Sequence, residues 1–326
     1  DHMITFQELS ALYFEKHLIR KSSYCYYRRL YKQLFATWTE HKTCFELKTW
    51  HDALELTPAH ANKALGFLKA MYYWAQREGD ATGKQALWCQ DNPAANVQRH
   101  RQESRERIFS DRELTQLFLY LSFASQKLET FITFLLCTGC RMSEARMMKW
   151  AHLDLVQGIW FKPTTKNGMS QRIPLTRQAI TAIEAMPREG DYVFMGLYGR
   201  CWSRCAAEKA WGIFRKGPGL QDLTLHDIRR TVGSRVYEQT KDVMLVKAIL
   251  NHRPNSITEI YMRTQHKRIA AALQDYADAL WALRKEVPYE SLDDVVALSE
   301  YPRRLPIGRE FAAGTRTSGL GTVPDA

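Results

Sequence analysis

The chain has 326 residues, enough for about two domains, and its 45% hydrophobic and 25% charged residues are those of a globular protein, not a disordered or fibrous one. Lys and Arg outnumber Asp and Glu 46 to 35, a formal charge of +11, which makes a polyanion such as nucleic acid the leading partner. No apolar run reaches the roughly 18 residues of a membrane span and no signal-peptide pattern opens the chain, so neither a membrane partner nor export is expected.

Asp1-His2 ahead of Met3 reads as a cloning remnant and is left out of the fold reasoning. Residues 4–98 then read as helical. FQELSALYFEKHL and SSYCYYRRLYKQLFATW carry apolar residues near a 3.6 period, with Ser22 or Ser23 as the N-cap of the second. TPAHANKALGFLKAMYYWAQREG is the clearest helix, with Thr57 as cap and Pro58 in the first turn. Its Leu65, Leu68, Met71, Tyr72 and Ala75 share one face, and a bundle of about four helices would bury such stripes. Asn92-Pro93 breaks the pattern. Residues 99–108 follow as a polar, basic linker, and Arg99, Arg101, Arg105 and Arg107 are its candidate contacts to a phosphate backbone.

Residues 109–285 form a second, mixed unit. Ser110 with Glu113 makes a capping box. Residues 128–137 read as a buried helix, Thr138-Gly139 as a turn, and Arg141 as the start of another helix. IWF and RIPL flank TTKNG, an antiparallel hairpin signal with Asn-Gly in its tip. Helices follow at about 203–215, 226–238, 242–250 and 266–285. The last carries Ile269, Leu273, Tyr276, Leu280 and Leu283 in a narrow stripe. The tail, 286–326, is expected to be flexible, being rich in Gly, Pro, Thr and Arg from Pro302 on.

Seven cysteines are scattered over this plan, an odd count that argues against a disulfide framework and for a reducing cytoplasm. Cys137 and Cys140 form a C-x-x-C, and Cys201 and Cys205 a C-x3-C. The four could in principle hold zinc. Cys137, closing a buried helix, and Cys140, beside Arg141, argue against that, and no metal is expected.

Four short patterns hold the residues with chemistry: TGCRMSE, the hairpin tip with Lys166, LHDIRRT, and LNHRPNSITEIY. Each is weak alone. Together they supply two arginine forks matched to phosphate oxygens, a lysine proton donor, two histidines and a tyrosine nucleophile. A carboxylate cluster for divalent metal is missing. The inventory suits phosphoryl transfer through a phosphotyrosine, with side chains stabilising the charge.

The ordered set Arg141, Lys166, His226, Arg229, His252 and Tyr261 resembles that of the tyrosine recombinases, the phage-integrase family of site-specific DNA recombinases. The resemblance runs from about Phe6 to Leu283. It implies a mainly α fold with a small antiparallel β-sheet in the catalytic domain, and a C-shaped clamp of a helical core-binding domain and a catalytic domain around duplex DNA. It implies that Tyr261 attacks the phosphate and that Arg141 and Arg229 bind its non-bridging oxygens. Lys166 would protonate the leaving 5′-oxygen, His226 assist proton transfer at the tyrosine, and His252 donate to the phosphate. Glu144 resembles the family's supporting carboxylate. No metal, cofactor or ATP is implied. Partners would be duplex recombination sites, three further copies in a homotetramer, and an excisionase or DNA-bending protein. The helix at 266–285 resembles one that docks on a neighbouring protomer. FLKAMYYWAQREG followed by NP favours a mobile-element integrase over a chromosome-dimer resolvase. Two positions depart from the pattern: Asn251 replaces a common glycine, and Arg230 a common histidine. The small domain that larger phage members use at distant arm sites is expected to be absent or removed. A type IB topoisomerase-like nicking-closing enzyme, and a non-catalytic DNA-binding protein on the same fold, are the alternatives.

Overall fold

The computed structural model describes residues 4–21, 23–79, 83, 85–163, 170–251 and 266–285. The chain divides into two compact units, Asp1–Arg105 and Glu106–Ala326.

The first unit is helical. Helix α1 (Phe6–Leu12) runs into a wider π turn at Tyr13–Leu18 and is followed by α2 (Tyr24–Leu34), α3 (Cys44–Asp52) and α4 (Pro58–Ala75). All five stripe residues of α4 are buried, among Phe6, Leu9, Tyr13, Leu30, Phe35 and Leu47 from the other elements. Aromatic rings fill the middle: Phe35 and Phe67 stack with centroids 5.5 Å apart. Two of the expected caps differ. Neither Ser23 nor Thr57 makes a side-chain cap hydrogen bond, and at α4 it is Pro58 that starts the helix, its missing N–H being one that needs no partner there. Thr5 and Thr43 cap α1 and α3 with capping boxes to Glu8 and Glu46. The chain after α4 stays on this unit: Lys69 Nζ donates to the carbonyls of Ala95 and Val97, and Asn62 holds both backbone groups of His100.

The second unit is built round α6 (Gln126–Thr138), which is buried on nearly every face from Leu128 onward. A helix apolar all round belongs at the centre of a core. Packed on it are α7 (Met142–Arg146), α8 (Arg177–Glu184), α9 (Arg204–Phe214), α10 (Leu225–Thr240) and α12 (His266–Lys285). Helix α5 (Asp111–Leu121) opens the unit with the expected Ser110–Glu113 capping box, and α11 (Val243–Ile249) follows α10. The sheet has three antiparallel strands in the order β1 (Leu153–Asp154), β2 (Ile159–Lys162) and β3 (Gln171–Pro174), with Trp160 opposite Ile173 and Lys162 opposite Gln171. The first strand, two residues long, is too short to leave a periodic signal.

Helix α12 packs within its own unit. Ile269, Leu273, Tyr276 and Leu280 are buried against α5, α6, α10, α11 and β3 of the same chain. Its middle is tied down as well, because Arg177 donates its backbone N–H to Gln274 and its guanidinium to Asp278.

Candidate active site

Helix α6 ends because Gly139 takes a left-handed conformation, φ 59°, and returns its N–H to the Leu135 carbonyl. Its surroundings also require glycine: a β-carbon there would lie 3.0 Å from Val232 and 3.1 Å from Leu250. The reversal places Arg141 at the N-cap of α7. Glu144, one turn on, accepts the Arg141 backbone N–H at Oε2 and its guanidinium at Oε1, both at 3.2 Å.

Helix α10 supplies the second arginine. Thr224 opens it, donating its N–H and hydroxyl to Asp227 Oδ2 at 2.8 and 2.7 Å. The same buried carboxylate accepts from Arg230 at 2.6 Å. Thr231 accepts the Phe109 N–H, so the opening of the second unit is fastened to this helix. Arg229 is only 5% exposed, and its partners are backbone: Nη1 donates to the Gly139 carbonyl at 2.8 Å and Nη2 to the Leu250 carbonyl. One guanidinium thereby ties the turn before Arg141 to the turn before His252. Two of its five N–H donors are committed among the described residues. Burial and the neighbouring Arg141 charge bring its pKa down to about 10, so it remains a cation at neutral pH. His226, near the start of α10, is held below the ordinary histidine value by partial burial and by Arg230, Arg229 and Arg141. Asn251 is left-handed, φ 48°, the kind of backbone that explains why a glycine or asparagine belongs there.

Strand β2 brings a residue the motifs did not single out. Lys162 points inward beside Trp160, and its Nζ lies 2.9 Å from Glu144 Oε2 and 5.1 Å from the Trp160 ring centroid. A lysine sharing the inward face of a strand with a tryptophan was the available signal. Burial pushes the Glu144 carboxyl up, but Lys162 and Arg141 outweigh it and hold it below the usual range. Arg141, Glu144, His226 and Arg229 therefore lie in one electrostatic neighbourhood. Lys166, His252 and Tyr261 lie outside the described residues.

Residues 108–268 match the Phage integrase family. The shufflon-specific DNA recombinase of Escherichia coli is 29% identical over 57% of this chain and 47% of its own length, so this chain spans about half of that relative. The tyrosine recombinase XerC of Pseudomonas entomophila is 26% identical over 64% of this chain and 71% of its own. The second unit carries the domain of the phage integrase family, the family of the tyrosine recombinases. The fold agrees: a lambda integrase tetramer bound to a Holliday junction superimposes with a TM-score of 0.61 at 16% identity, covering 82% of this chain and 79% of that one.

Elsewhere in the second unit, the surroundings of the C-x-x-C disfavour the thiolate that redox exchange requires. Both thiols are buried, and burial pushes them up to about 12 at Cys137 and about 11 at Cys140. Among the described residues the single group of potential metal ligands is His51, Asp52 and His100, and no cysteine belongs to it. The two imidazoles stack with centroids 4.0 Å apart and 8° between planes. An ion in the plane of one ring lies out of the plane of the other, so the pair does not fit shared ligation. Of the four linker arginines, Arg99, Arg101 and Arg105 are exposed. Arg107 is committed: it pairs with Glu113 and, at 2.7 Å, with Asp222, fastening the entry of α5 to the loop before α10. No helix among the described residues is long and apolar enough to cross a membrane.

Proposed function

We propose that this family member is a site-specific recombinase that cleaves and rejoins duplex DNA through a 3′-phosphotyrosyl bond. Tyr261 Oη attacks the scissile phosphorus, the bond from phosphorus to the 5′-oxygen breaks, and Lys166 supplies the proton the leaving 5′-oxygen needs. His226, neutral near pH 7, takes the tyrosine proton. Arg141, Arg229 and His252 stabilise the charge on the non-bridging oxygens, a task that preorganised donors perform without reorganisation. Side chains supply all of this charge and the phosphotyrosyl bond conserves the energy, so neither metal nor ATP is assigned a step. A 5′-hydroxyl from a partner strand reverses the chemistry and exchanges the strands.

The observation that carries this reading is the seat of Arg229, buried with its fork on the Gly139 and Leu250 carbonyls. A buried cation held by two carbonyls and no carboxylate among its described partners keeps its charge for an anion. The first unit is proposed to bind the core site and the second to carry out the catalysis, with Arg99, Arg101 and Arg105 along the phosphate backbone. The solved lambda integrase tetramer on a Holliday junction supports assembly into a tetramer that passes through such a junction. The likeness of FLKAMYYWAQREG to phage and island integrases supports a task in a mobile element. The test is an SDS-resistant protein–DNA adduct on nicked duplexes with a randomised core: wild type is expected to form it and Tyr261→Phe to lose it. Equal failure of both defeats the reading.

A further inference from the structure

We propose that Lys162 is a positioning residue of the cleavage site, acting on Arg141 through Glu144. This rests on the reading above, in which Arg141 holds the scissile phosphate.

Lys162 ends β2, and its side chain is only 6% exposed. Taking an ammonium out of water is costly unless it is paired. Its charged partner among the described residues is Glu144, whose own side chain is 12% exposed, and the Trp160 ring lies beside it. The division of the Glu144 oxygens is the telling feature. Oε2 takes Lys162 Nζ at 2.9 Å together with the Arg141 backbone N–H, whereas Oε1 takes the Arg141 guanidinium.

Two consequences follow from charge and geometry. A carboxylate facing Arg141 alone would cancel the charge that the phosphate must meet. With Lys162 on the second oxygen, the three groups carry one net positive charge, and Arg141 keeps its attraction for an anion. The lysine also fixes the rotation of the carboxylate, because one oxygen is pinned to β2. The other oxygen then sets the edge on which the guanidinium rests. A loosely held arginine fork would meet the phosphate in several orientations, and positioning errors of about 1 Å cost on the order of a hundredfold in rate. Lys162 needs no contact with DNA for any of this, and Lys166 keeps the proton-donor role.

The experiment measures the rate of adduct formation on a nicked duplex selected by the wild-type protein from the randomised library. Lys162→Met is expected to slow cleavage about ten- to a hundredfold, and Lys162→Arg to recover most of it. Lys162→Gln, polar but uncharged, serves if the methionine variant fails to fold, with the same loss expected. Glu144→Gln and the double variant Lys162→Met/Glu144→Gln should be equally slow, since both interrupt one path. A duplex with sulfur at the 5′-bridging position separates positioning from proton donation, because a thiolate leaves without a proton. On it the Lys162 defect should persist while that of Lys166→Ala is relieved. Wild-type rates in folded Lys162→Met or Lys162→Gln overturn the proposal. So does relief of the Lys162 defect by sulfur, which would make this lysine the proton donor. If the wild type forms no adduct on any duplex, the recombinase reading itself fails.

Discussion

Three of the four charged groups that act on His226 among the described residues are arginines. Burial first, and then Arg230, Arg229 and Arg141, depress its pKa, and among the described residues Asp227 opposes them. A histidine depressed in the folded state binds fewer protons there than in the unfolded chain, so its contribution to stability is full above the ordinary value of 6.5 and declines as pH falls below it. An NMR titration of the DNA-free protein should give a His226 midpoint below 6.5, and Arg230→Gln should move it upward. Arg229 makes a sharper case. Arg229→Lys keeps the charge but cannot span two carbonyls, and urea melts should show a loss of about 2–3 kcal/mol, the usual worth of a charged hydrogen bond. Residue identities were legible here because the motifs name Arg141, His226 and Arg229 directly. The burial of Arg229 and its backbone partners were not, since both carbonyls come from distant turns.

Elements were legible where their termini carry local chemistry. The Ser110 box and the Gly139 stop rest on interactions within a few residues, and the hairpin strands on pairs such as Lys162 with Gln171 that are still near in sequence. Thr57 shows the limit: the residue suits a cap, yet Pro58 already satisfies the terminus and the hydroxyl makes no cap bond. Thermal melts should separate the two, Ser110→Ala costing about 1 kcal/mol and Thr57→Ala close to nothing. Gly139→Ala should cost about 1–2 kcal/mol from its left-handed backbone alone, and more from the close approach of Val232 and Leu250.

At the scale of the whole molecule the charge of +11 sets how the protein meets DNA. Affinity should fall steeply with salt, and replacing Arg99 and Arg101 by alanine should reduce the slope of log affinity against log salt by roughly one unit for each phosphate no longer neutralised. Arg107→Ala should leave that slope unchanged and lower the melting temperature instead, because its guanidinium is paired with Glu113 and Asp222. A linker read from composition treats its four arginines alike; only their partners tell them apart.

The amino-acid order by itself determined the helices and the two paired strands and pointed to the family's set of reactive side chains, because periodicity, caps and motif spacing act over short stretches of chain. Tertiary structure alone decided which charges remain available. It paired Arg107 with carboxylates, seated Arg229 on the carbonyls of two separate turns, drew Lys162 onto Glu144, and covered the α12 stripe within its own unit. The physical reason is common to all four: burial and pairing set the energy of a charge or an apolar face, and both depend on residues far away in sequence.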